Sequence, residues 1–201
     1  MSLKNFRINK DFLKLAFLIW SFLFFLILFW PFEEPSKLRS AIVFTCIYGI
    51  AVLSILWFKY KKLIENENLW IIVFSVKVLV SYFILTFFWV LPLESNGFLR
   101  TPVQDALVTD ANYYDYAAIE IVKRGLTNNI DLLFSTWLSF GVITYLYLIY
   151  SILGQSILYV VLVNSILILW AALFLRASVV KMYPENSQNI SHNKIAFIML
   201  L

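Results

Sequence analysis

The sequence predicts an all-α fold: a polytopic bundle of transmembrane helices with five full spans, a partial sixth and one amphipathic helix at the membrane interface. Three observations predict it. Of 201 residues, 62% are hydrophobic and only 14% charged, more apolar surface than a soluble domain of this length can bury. The apolar residues gather into runs of about twenty, the length that crosses a hydrocarbon core as a helix. Basic residues flank those runs, which is how membrane proteins set their orientation.

The runs lie near 15–32, 41–58, 69–91, 132–153 and 157–175, and a further one starts at 195. They are apolar on all sides, whereas barrel strands are short and alternate in polarity. A segment in lipid must satisfy its own backbone groups, which selects helix. The first run follows a basic start but ends in Phe32-Glu33-Glu34-Pro35 rather than in a small-residue cleavage site, so it reads as a retained helix. Pro, Gly and Ser form no linker and no repeat is visible, so 1–201 reads as a single transmembrane domain. The run from 195 is too short to cross a bilayer. The expectation is a truncated product or a piece of a longer protein.

Orientation follows from the cations. Lys4, Arg7, Lys10 and Lys14 precede the first run, and Lys59, Lys61 and Lys62 follow the second. Both groups belong on the cytoplasmic side, which gives a multi-pass protein of the plasma or inner membrane with a cytoplasmic N-terminus. One part disagrees. With five crossings the segment after the fifth run faces outward, yet it holds Arg176, Lys181 and Lys194. Trp30, Trp57, Trp70 and Trp89 lie near predicted helix ends and read as interfacial anchors.

The net charge of +4 and the pI near 9.1 reflect these flanking cations, so the lipid bilayer is the expected partner and nucleic acid is not. One cysteine, Cys46, and one histidine, His192, exclude an internal disulfide and a zinc cluster.

Any chemistry falls to the polar loop, 93–130. A loop of that length is uncommon without a function, and this one carries a helical signal. Thr109 or Asp110 caps a helix from Ala111 to about Lys123, Gly125 ends it, and Lys123 and Arg124 suit its last turn. Tyr114, Ala117, Ala118 and Ile121 share one face, which suits a helix lying along the membrane surface. Asp115 falls about 100° from Tyr114 and reads as part of a solvated face. Asp105 reads as a turn residue in irregular chain.

The run Thr109-Asp110-Ala111-Asn112-Tyr113-Tyr114-Asp115-Tyr116-Ala117-Ala118-Ile119-Glu120, with Gly125 after it, resembles the first outer loop of the GT-C superfamily, polytopic glycosyltransferases that use lipid-linked sugars. Trp137, Gly141, Tyr147, Tyr150 and the turn Leu153-Gly154-Gln155-Ser156 extend the resemblance to about Tyr183. It implies transfer of a sugar from a polyprenyl-phosphate donor to an acceptor at the outer face. Asp110 would be the catalytic acidic residue, acting as a base on the acceptor hydroxyl or helping to hold a divalent metal ion or the acceptor. Tyr114 would pack or position Asp110, and Lys123 and Arg124 would meet the lipid phosphate. The pattern departs from the family in three ways. The loop follows the third run rather than the first, Ala111 stands where many relatives carry a second acid, and the later loops that hold the donor are missing. A chain ending at Leu201 is therefore expected to be inactive alone.

For Asp110 the structural reading, a helix cap, stands beside the catalytic one. Two other functions stay open: a cell-envelope polysaccharide polymerase or ligase, marked by a large polar loop late in the chain, and a non-catalytic polytopic membrane protein. Transporters favour helices broken by Gly or Pro at the midplane. Here Pro31 and Pro92 lie at run ends.

Overall fold

The computed structural model describes residues 9–29, 37–89, 110–127, 130–131 and 140–182, with side chains for all of these except 85–89 and 110–113. The described residues form six helices: α1 (Lys10–Phe29), α2 (Lys37–Tyr60), α3 (Glu67–Trp89), α4 (Asp110–Arg124), α5 (Phe140–Leu153) and α6 (Ile157–Met182). Four of them, α1, α2, α3 and α6, are long and apolar enough to cross a membrane. The run predicted at 132–153 is represented by α5, a shorter apolar helix of 14 residues. Residues 132–139 and the run from 195 lie outside the described residues.

The helix ends follow local chemistry. The side-chain oxygen of Asn9 accepts the Asp11 N–H at 3.0 Å, and that of Asn66 accepts the Leu69 N–H at 3.2 Å. Each satisfies one of the orphan donors of a first turn. α2 ends with Lys62 at φ +56°. The Leu63 N–H returns to the Phe58 carbonyl at 3.0 Å, and the Lys62 N–H to that of Lys59 at 2.9 Å. This is a Schellman closure with lysine in the left-handed position that glycine usually fills. Gly154, at φ +108°, closes α5 through a 3.1 Å bond to the Tyr150 carbonyl. The Ser156 hydroxyl then accepts the Leu158 N–H at 3.2 Å and starts α6.

The chain divides into two compact units, 1–81 with 161–201, and 82–160. In the first, α1 and α2 run antiparallel: the Tyr48 hydroxyl donates to the Ala16 carbonyl at 2.9 Å, and the Trp20 indole to the Thr45 hydroxyl at 3.3 Å. Phe12, Phe44, Ile55, Ile71, Phe74 and Leu169 are among the side chains buried there. Trp70 is wholly buried too, so it is a core residue and not the interfacial anchor its position suggests. Trp57 does lie exposed near a helix end, with the Lys61 ammonium 4.8 Å above its ring. Trp30 and the side chain of Trp89 lie outside the described residues.

Two features of the surface suit lipid. Large apolar side chains stay exposed along the long helices, including Phe17, Phe22, Phe25 and Phe29 on α1, where water would be a poor solvent and hydrocarbon a good one. The hydroxyls of Ser21, Thr45, Ser54, Ser75, Ser165 and Ser178 each donate to the carbonyl one turn earlier, at 2.6–3.0 Å. A hydroxyl satisfied by its own helix needs no water.

Candidate functional site

The polar loop contains the helix that its sequence predicts. α4 begins at Asp110 and ends at Arg124. Gly125, at φ +86°, donates its N–H to the Ile121 carbonyl at 3.0 Å and turns the chain out of the helix. Glycine pays no Cβ penalty for that conformation. The predicted face is also the buried one. Ala117, Ala118 and Ile121 are fully buried. Ala117 and Ile121 cluster with Ile143 of α5, and Tyr114 and Tyr147 pack against them. Ala117, small enough to leave room for Ile121 and Ile143, lies in the contact, and the two tyrosines flank it.

The predicted site residues separate into different settings. Asp110 is the first residue of α4, and its side chain lies outside the described residues. Asp105 also lies outside them. Tyr114 packs on the helix contact, one turn from Asp110. Lys123 is exposed. Arg124 pairs with Glu120 at 2.7 Å, a helix-internal arrangement of opposite charges four residues apart.

Asp115 differs from its sequence reading. It is half-buried rather than solvated, and its carboxylate accepts a hydrogen bond from the Tyr150 hydroxyl of α5. The physical reason is angular. Asp115 stands about 100° from Tyr114 but only about 60° from Ala118, at 100° per residue. The buried stripe reaches Ala118, so Asp115 sits at its margin within reach of a long side chain from α5. Burial raises its pKa above the ordinary carboxylate value, and the Tyr150 hydrogen bond offsets part of that rise. The signal in the sequence was the pairing of a marginal acid with a tyrosine-rich helix, Tyr145, Tyr147 and Tyr150, after a short connection.

Chemically, α4 offers a carboxyl group beside a phenol and, at its start, Asp110. Among the described residues no three His, Cys, Asp or Glu side chains gather to hold a metal ion. No family model, no curated protein and no solved structure matches the chain.

Proposed function

We propose that this chain is a polytopic membrane glycosyltransferase of the GT-C type, or the N-terminal part of one, with a cytoplasmic N-terminus in a plasma or inner membrane. It transfers a sugar from a polyprenyl-phosphate donor to an acceptor at the outer face. The acceptor hydroxyl oxygen bonds to the anomeric carbon, and the bond from that carbon to the phosphate oxygen breaks. Polyprenyl phosphate leaves with the electron pair, and Asp110 takes the hydroxyl proton. Tyr114 positions the start of α4, and the cations of the last turn, Lys123 and Arg124, face the lipid phosphate.

One observation carries this reading. The acid-led motif of the polar loop is a helix that starts at Asp110 and is seated on the next apolar helix through Tyr114, Ala117 and Ile121. General-base chemistry requires a base on a fixed element, and the backbone of Asp110 opens such a packed helix.

The test is Asp110→Asn in the full-length reading frame, assayed in membranes with a radiolabelled polyprenyl-phosphate sugar. Loss of transfer with normal accumulation in the membrane is expected. Transfer at the wild-type rate would remove Asp110 from the reaction.

A further inference from the structure

The direction of α6 is fixed within the first unit. The Trp170 indole donates to the Ser54 hydroxyl of α2 at 3.0 Å. One turn further along both helices, Phe58 meets Phe174 edge to face with ring centroids 5.4 Å apart. The numbers rise together, so α2 and α6 run the same way. In an antiparallel pair with Ser54 opposite Trp170, Phe58 and Phe174 would lie roughly 12 Å apart along the axis, at 1.5 Å per residue. α3 runs against α2, because Lys59 pairs with Glu67 at 3.1 Å while Tyr48 packs on Phe74 with ring centroids 6.1 Å apart. α3 therefore leaves the end of the bundle that carries Lys59, Lys61 and Lys62, and α6 returns to it.

We infer that the chain between α3 and α6 begins and ends on the same side of the membrane, so that the apolar run 132–153 does not carry it across. An even number of crossings must separate two helices of opposite direction whose connected ends share a side. Two crossings need two stretches of about 20 apolar residues. The sequence between these helices holds one, since 93–130 is polar. The number is therefore zero, and the chain crosses four times up to Met182.

This assignment removes the conflict over the cations. Arg176 and Lys181 now end on the side of Lys59, Lys61 and Lys62, where the positive-inside rule places them. Arg176, only 1% exposed, lies within electrostatic reach of Glu65, which belongs to that same end. A buried guanidinium has its opposite charge at hand. The inference also puts α4 and α5 in one stretch of chain that stays on the outer side, and it does not depend on the glycosyltransferase reading.

Single cysteines test it in the full chain carrying Cys46→Ala. Lys61→Cys, Gln155→Cys and Lys181→Cys are exposed to a membrane-impermeant maleimide in intact cells and again after permeabilisation. Lys61→Cys and Lys181→Cys are expected to behave alike, reacting only after permeabilisation, while Gln155→Cys reacts from outside. Gln155→Cys behaving like Lys61→Cys, or Lys181→Cys unlike it, would overturn the inference, since five crossings give that pattern. Lys62→Cys and Met182→Cys repeat the comparison if either lysine variant fails to accumulate. Labelling says nothing of sugar transfer, so this test and that of Asp110→Asn fail independently.

Discussion

The Tyr150 hydroxyl donates a hydrogen bond to the Asp115 carboxylate, tying the helix of the polar loop to the apolar helix that follows it. Around that bond the contact is made by Ala117, Ile121 and Ile143, with Tyr114 and Tyr147 packed against them. The bond is a polar link between α4 and α5 and marks the edge of the buried stripe. Tyr150→Phe keeps the ring and removes the donor. It is expected to destabilise the contact by about 1.5–3 kcal/mol, the range for a hydrogen bond to a charged group. Faster hydrogen exchange of α4 amides in the variant would show it, and unchanged exchange would rule it out.

The same pair sets a dependence on pH. Burial raises the Asp115 pKa above the ordinary carboxylate value. Between those two values the folded contact binds a proton that the unfolded chain does not. Stability from this group is full below the ordinary value and falls as pH rises through the folded one. Unfolding followed from about pH 4 upward should show α4 loosening with rising pH, and Asp115→Asn should flatten the curve. Tyr150→Phe removes the bond that lowers the pKa, so its decline should shift to higher pH. A decline unaffected by Asp115→Asn would place the titrating group elsewhere.

Ala118 is wholly buried on α4, on the side next to Asp115. Ala118→Leu inserts three carbons where a methyl fits, which typically costs about 1–3 kcal/mol in a packed site. Ala118→Gly leaves the space open and costs about 1 kcal/mol through helix propensity. Thermal unfolding in detergent should rank leucine as more damaging than glycine. The reverse order would mean that α4 has room against its neighbours.

Lys62 holds a left-handed conformation at the end of α2. Lys62→Gly relieves a strain of about 1–2 kcal/mol and pays back part of it as chain entropy. A net gain of about 0.5–1 kcal/mol is expected. A raised midpoint of thermal unfolding in detergent would register it, and a lowered midpoint would show that the lysine side chain contributes more than its backbone costs.

The long helices were legible because hydropathy and length need no tertiary information. The runs at 41–58 and 157–175 fall inside α2 and α6; α2 extends past its run to Lys37 and through Lys59, and α6 past its run to Met182. α4 was legible from its cap, its glycine and its spacing. The direction of α6 was not, because a hydrophobicity scale carries no sign along the chain. Only the Ser54–Trp170 and Phe58–Phe174 contacts supply one. Asp115 is illegible for a related reason. Its angle to one residue does not settle its burial, which depends on the whole stripe. Trp70 shows the converse, since proximity to a helix end does not say whether a side chain points inward.

The partnership of α2 with α6 also has a cost in time. Ser54 and Trp170 stand 116 residues apart, so a ribosome adding about 5–20 residues per second needs roughly 6–23 s to deliver the second after the first. Through that interval the flank of α2 that will receive Trp170 and Phe174 faces lipid. Burial of this flank therefore waits on the last of the described helices.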